Sequence, residues 1–239
     1  MAKISRQKQD EVRRSIILTA VELFGEKGFE STTMKQIARK VGIGDATIYK
    51  YFSSKDKLIF GYFGLKAEDT IQEFLKEEDL DDYDLQEKLQ LLIDIYLGNL
   101  LPDREFVNDS LKMIMQSPSI LFKDVTPIRE EFSGVIHDLL IEAENSGEIA
   151  KSAFTGVTAK LANEFMLAVL LYWIKDDSDE FANTTQLVDM SLSLGVEILK
   201  SGIIGKVTDL ASFFIKAHLF RFMGSGFLNK LVTSKSFSR

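Results

Sequence analysis

A chain of 239 residues, 45% hydrophobic and 27% charged, has the composition of an ordinary folded protein, long enough for one large domain or a small and a medium one. It holds no cysteine, which excludes disulfides, thiolate metal sites and cysteine nucleophiles, and its two histidines, His137 and His218, stand far apart without a carboxylate constellation. The net charge of −7 conceals an asymmetry: residues 1–57 carry 12 Lys and Arg against 7 Asp and Glu, residues 58–239 carry 17 against 29, so a basic front points toward a polyanion and an acidic body stays off it.

The N-terminal MAKISRQKQDEVRRS is polar, with no apolar core of a signal peptide. The longest unbroken apolar run, Phe165 to Ile174, is half the roughly 20 residues a membrane helix needs. These features predict a soluble, cytoplasmic protein with no membrane partner.

Apolar residues recur at helical spacing nearly throughout and no stretch alternates with period two, so the predicted fold class is all-α. Ile16, Ala20, Leu23 and Phe24 form the stripe of a first helix over 10–27, which Gly28 closes in the left-handed conformation while Phe29 folds back on the last turn. Thr33 and Gln36 then make a capping box. Ile37, Ala38 and Val41 are the inner face of a helix barely two turns long that ends on Gly42. Ile43 plugs the turn, and Gly44 opens a second short helix from Asp45 to Phe52 whose Ile48 and Phe52 point inward. Ser53 or Ser54 caps the next helix, with Lys55 in its first turn.

Farther on, the run EEDLDDYD (77–84) reads as a solvated loop. Leu85, Leu89, Leu92, Ile93, Tyr96 and Leu100 line a helix stopped by Pro102. All three prolines lie between 102 and 127, which predicts short broken pieces there. A helix opening on Thr126-Pro127 and closing at Gly147 carries Ile128, Phe132, Val135, Ile136, Leu139, Leu140 and Ala143. Two more helices, near 155–175 and 184–202, are apolar on more than one face and are separated by the acidic loop DDSDE. After Asp209 there is no acidic residue; Lys216, Arg221, Lys230, Lys235 and Arg239 accompany Leu210, Phe213, Phe214, Phe220, Phe222, Phe227 and Leu228, a composition that suits an extra helix docked on the body from about residue 205.

Two short helices joined by a glycine turn, the second showing Ala46, Thr47, Tyr49, Lys50 and Tyr51 outward, describe a helix-turn-helix. Each outward group suits a duplex. Thr33 and Lys55 stand at helix N-termini, which favour phosphate. Tyr49 can donate its hydroxyl to a phosphate, Thr47 can offer a methyl to thymine or a hydroxyl to a base edge, and Lys50 suits guanine or a phosphate. From the helices alone a second reading stands beside this one, with Tyr49 and Tyr51 packed in a small core and the lysines in solvent.

The first-helix pattern ILTAVELFGEKGFESTT, the turn IARKVGI, the helix TIYKYF and the following SKDKL resemble, in order and over about 50 contiguous residues, the N-terminal domain of the tetracycline-repressor (TetR) family. The resemblance implies a three-helix DNA-binding domain over 1–54, an effector-binding and dimerisation domain over 55–239, and a homodimer on a palindromic double-stranded operator. By position it assigns Thr33, Gly44, Ala46, Thr47, Tyr49, Lys50, Tyr51 and Lys55 to DNA. Gly44-Asp45 departs from the family habit of a serine cap and a neutral residue, and Asp45 near phosphate is unfavourable unless it accepts from a cytosine N4.

The resemblance also makes the 155–202 pair a bundle across a twofold axis, with Leu161, Ala168, Leu171, Leu187, Met190, Leu194 and Ile198 in the interface; periodicity alone equally allows a buried intrachain pair. Candidates for the effector pocket are Phe106, Met113, Met115, Phe122, Phe132, Met166 and Trp173, a set that favours a small apolar or amphipathic ligand. No cofactor or metal is expected. An enzyme is not expected either, since no nucleophile–base pair or phosphate loop is present. The alternative to a ligand-responsive repressor is a helical adaptor that keeps the fold without reading DNA.

Overall fold

The first helix, α1 (Arg6–Lys27), includes the four residues ahead of its expected start and buries Ile16, Ile17, Ala20, Val21, Leu23 and Phe24 on one side. The computed structural model describes residues 6–116 and 126–207, together with 210, 212 and 213. Gly28 ends α1 at φ +81°, its N–H donating to Phe24 at 2.9 Å, and the Phe29 ring returns to 5.0 Å from that of Phe24. The buried Thr32 hydroxyl lies 2.9 Å from the Gly28 carbonyl and 3.1 Å from that of Leu23, which fixes the exit toward the next helix.

Helices α2 (Met34–Val41) and α3 (Asp45–Tyr51) are the short pair, with the Thr33–Gln36 capping box formed and Gly42 left-handed at φ +80°. The long α4 (Lys55–Phe74) starts at N-cap Ser54, whose side chain makes no capping bond, and is buried on most of its faces at Leu58, Ile59, Phe60, Tyr62, Phe63 and Leu65. Arg14 of α1 grips Asp69 of α4 through both carboxylate oxygens at 2.7 and 2.8 Å, and Arg13 reaches Glu68 at 3.3 Å.

The body comprises α5 (Leu85–Leu100), α6 (Arg104–Gln116), α7 (Thr126–Ser146), α8 (Thr155–Trp173) and α9 (Ala182–Lys200). No strand occurs among the described residues, as the spacing predicts. Asp84 belongs to a cap rather than a solvated loop, forming a capping box with Glu87 at the start of α5. Of the region expected to be broken by its three prolines, residues 117–125 lie outside the described residues, and Pro102 marks one short piece, Leu101–Asp103. It sits in a 3-10 turn, where its missing N–H costs nothing, and α6 runs on for 13 residues. Residues 203–207 are helical; Ile204 is half-buried and lines a cleft with Leu89, Ile136 and Leu140 of the body, while Ile203, Val207, Leu210 and Phe213 are exposed. The remainder of that segment lies outside the described residues.

The loop between α8 and α9 hides a carboxylate. Asp176 is buried, accepting the N–H and hydroxyl of Ser178 at 3.0 and 2.6 Å and those of Thr184 at 2.8 and 2.6 Å. The hydrogen bonds from Ser178 and then Thr184 hold its carboxyl well below the usual carboxylate range. A depressed folded pKa contributes stability above the unfolded value of about 3.9, and that contribution is lost as pH falls. Asp176→Asn is therefore expected to lower the melting temperature at neutral pH, with the gap to wild type narrowing below about pH 4. A gap that stays constant on acidification would contradict this role.

Candidate functional site

The recognition helix α3 is held from beneath by two buried side chains, Ile48 and Phe52, and the Phe52 N–H donates to Ile48 at 2.9 Å. Tyr49 is 55% exposed and Lys50 and Ala46 are exposed, so the outward face is not a small core. Thr47 is half-buried at the first turn, and a Cβ on Gly44 would meet its Oγ1 at 3.4 Å. Tyr51 behaves differently from its neighbours: it is half-buried and packs against the core, at the cleft where α3 faces α4 and α7. Asp45 is partnered by Lys35 of α2 at 3.6 Å, which offsets the charge that would otherwise oppose phosphate. With Lys35, Arg39 and Lys50 exposed, α2 and α3 offer cations, a phenol and a hydroxyl to a polyanion.

Two expected phosphate contacts are engaged internally. Thr33 is exposed, but its hydroxyl accepts from the Gln36 N–H at 3.2 Å in the capping box. The Lys55 ammonium donates to the carbonyls of Phe29 at 2.7 Å and Glu30 at 3.3 Å and lies 4.5 Å from the Phe29 ring centre. Both carbonyls lie outside any helix after the left-handed Gly28; the Phe29 carbonyl also accepts the Thr32 N–H at 3.3 Å, and the ammonium adds a charged donor to each. In this conformation Lys55 ties α4 to the end of α1.

Inside the body lies a cavity of about 280 Å³, walled by Phe60 and Phe63 of α4, Tyr96 of α5, Leu111, Ile114 and Met115 of α6, Ile128, Arg129 and Phe132 of α7, and Asn163, Met166, Leu167, Leu170 and Leu171 of α8. Of the sequence candidates, Phe132, Met166 and Met115 line it. Phe106 does not, because its ring is taken up between Phe24 of α1 at 6.0 Å and Tyr62 of α4 at 5.0 Å, joining the DNA-reading helices to the body. Trp173 is buried elsewhere, 5.7 Å from Phe181 and beneath the Arg104 guanidinium, which donates to the Trp173 and Asp176 carbonyls at 2.7 Å each. Met113 is half-buried against the core and absent from the wall, and Phe122 lies outside the described residues. Arg129 pairs with Glu164 on α8. The sequence reading missed Phe60, Phe63, Tyr96 and Asn163. Their helices were legible, but the face each turns to the void depends on helix orientation.

On the outer side of α8 and α9, Leu161, Ala168, Leu171, Met190, Leu194 and Ile198 are exposed, with Leu187 half-buried. The two helices do pack on each other, but that stripe, joined by Val157 and Tyr172, remains bare. No helix among the described residues is long and apolar enough to cross a membrane.

Two family models match this chain: "Bacterial regulatory proteins, tetR family" over residues 16–62 and "Tetracyclin repressor-like, C-terminal domain" over residues 88–214. The chain is 28% identical over 196 residues to the fatty acid metabolism regulator protein of Bacillus subtilis, covering 80% of this chain and 95% of that one. It is 43% identical over 51 residues to the transcriptional regulator HbdR of an Aromatoleum species, 21% of this chain and 22% of that one. Among solved structures it is similar to FadR of Bacillus subtilis in complex with stearoyl-CoA, at TM-score 0.56 and 25% identity over 77% of this chain and 97% of that one. The TetR regulator of Nitrosomonas europaea shares the fold at TM-score 0.57 and 23% identity, over 77% and 96%. The helix-turn-helix geometry and a family match that spans most of the chain lead to one conclusion: this protein belongs to the tetR family of bacterial regulatory proteins and is a DNA-binding transcriptional regulator.

Proposed function

We propose that this chain is a cytoplasmic, ligand-responsive repressor that binds a near-palindromic operator as a homodimer and is released by a long-chain acyl amphiphile. Residues 1–54 read DNA in this account, and residues 55–239 bind the effector and the second copy. The observation that carries the DNA reading is the division of α3 into a buried side, Ile48 and Phe52, and an exposed side, Tyr49 and Lys50. Selection from random duplex DNA is expected to enrich two inverted half-sites about 34–36 Å apart. Failure to enrich any sequence would favour the helical adaptor.

The bare stripe on α8 and α9 supports the dimer, since an apolar face of this kind is ordinarily covered. The effector class is supported by the wall of the cavity, which is aromatic and aliphatic apart from Asn163 and the rim residue Arg129, and by likeness to a regulator solved with stearoyl-CoA.

Coupling would run through α4. Phe60 and Phe63 wall the cavity, while Gly61 between them lies under Phe52, where an added Cβ would fall 2.7 Å from Cε1 and 3.2 Å from Cζ of that ring. One turn on, Gly64 takes Ile128 from α7, itself a wall residue, at 3.8 Å from the equivalent point. A ligand that spreads the wall thus moves the ring on which the recognition helix ends. A 100-fold loss of DNA affinity needs about 2.8 kcal/mol of coupling, on the order of burying one aromatic side chain. By reciprocity, operator DNA is expected to weaken stearoyl-CoA binding by the same factor. Titrating stearoyl-CoA with and without operator measures it, and one affinity in both conditions would remove the gate.

A further inference from the structure

Asn163 is out of place in an apolar wall. It is 8% exposed, lies on α8 one turn before Met166 and Leu167, and lines the cavity with them. Its carboxamide carries two N–H donors and an acceptor oxygen, makes no hydrogen bond to another described residue, and keeps its polar atoms open to the cavity. Three buried hydroxyls of the body, by contrast, are served within the chain: Thr70 donates to the Lys66 carbonyl at 2.7 Å, Thr155 to Glu144 at 2.6 Å and Thr184 to Asp176 at 2.6 Å. An amide that faces an apolar cavity without a protein partner has only what enters the cavity to hydrogen-bond, and leucine at this position would line the same wall without presenting a polar group there. The group therefore faces something that enters the cavity.

We propose that Asn163 is a specificity-determining residue, recognising an uncharged carbonyl set into an otherwise apolar ligand. The proposal rests on the effector reading above and names what that site requires beyond an acyl chain. A neutral amide donates well to a carbonyl, whereas a carboxylate brought to the same point would lie among Phe132, Met166 and Leu170 without a cation of its own. The cationic wall residue, Arg129, is at the rim and half-exposed, paired with Glu164. The arrangement fits an acyl ester or thioester with its chain among the aromatic rings, its carbonyl at Asn163 and an anionic head outside near Arg129. A site built to hydrogen-bond a group discriminates against the analogue lacking it, because its own polar atoms are left unpaired.

The test uses stearoyl-CoA and S-octadecyl-CoA, the thioether with the same chain and head but no carbonyl. Wild-type protein is expected to bind the thioester at least tenfold more tightly, and Asn163→Leu to bind both alike. Equal preference in wild type, or a preference unchanged in Asn163→Leu, overturns the proposal. A second readout needs no ligand. Asn163→Leu is expected to melt at a higher temperature than wild type, and a lower melting temperature would mean that the amide already has a structural partner, which also overturns it. If neither CoA compound binds wild type, the acyl-CoA reading fails. The carbonyl preference is then read with a long-chain methyl ketone against the matching alkane, and absence of an Asn163-dependent difference there counts against Asn163 itself.

Discussion

Raising salt from 50 to 200 mM is expected to weaken operator binding by about 10³–10⁵-fold, on the basis that two basic fronts together neutralise roughly 6–10 phosphates. The cations are concentrated where they would act, with Lys35, Arg39 and Lys50 exposed on α2 and α3, while the rest of the chain carries a net negative charge. Single substitutions separate the contributions. Lys50→Ala is expected to reduce the salt slope by about 1 per subunit. Lys55→Ala is expected to change the slope less and to lower the melting temperature more, because its ammonium is bound to the Phe29 and Glu30 carbonyls. A salt-independent affinity would contradict the whole electrostatic account, and a full unit of slope lost in Lys55→Ala would show that its ammonium leaves those carbonyls for DNA.

A glutamate at Leu161 or Leu194 is expected to yield folded monomers that lose specific operator binding. Both side chains are 64% exposed in the single chain, so the substitution costs the protomer little, whereas in a twofold interface it would bury like charges near each other. Coupling two DNA-binding units strengthens binding by about 10²–10⁴ over either alone, and a monomer forfeits that factor. Sedimentation of each variant, with its affinity for the selected duplex, checks the prediction. Variants that remain dimeric would place the interface away from α8 and α9. Leu171 is a poorer probe, since it also lines the cavity and a charge there would disturb both functions.

The DNA-reading segment was the most legible part of the sequence because its determinants are local. Gly28 and Gly42 stop helices by adopting positive φ, Thr33 and Gln36 cap across three residues, and Ile48 and Phe52 mark an inward face at a spacing of four. Each of these involves residues less than a turn or two apart, so the spacing of residue types suffices to read them. For the exposed stripe Leu161, Leu194 and Ile198, helical periodicity showed that the two helices are apolar on more than one face, and the family resemblance was needed to choose an outer face over a buried intrachain pair.

Tertiary structure decided which residues surround the cavity and which charges are free. Phe106 and Trp173 have the same composition-level credentials as Phe132 and Met166, but the first is stacked against Phe24 and the second capped by Arg104 and Phe181. A void is what remains where five helices fail to fill the space between them, so its lining is set by helix orientation and summed side-chain volume, which no single stretch contains. Asp176 and Lys55 illustrate the electrostatic counterpart. The sequence placed Asp176 in an acidic loop and Lys55 at a phosphate, and each is held by groups that folding brings to it, the hydroxyl of Thr184 eight residues on for the aspartate and the Phe29 carbonyl 26 residues back for the lysine. The sequence alone determined the helices, their caps and the outward side of the recognition helix, since these arise from hydrogen bonds and periodicity within one or two turns. The identity of the pocket walls, the burial of Asn163 and the partners of Lys55 were decided by tertiary packing, because they depend on contacts between segments far apart in the chain.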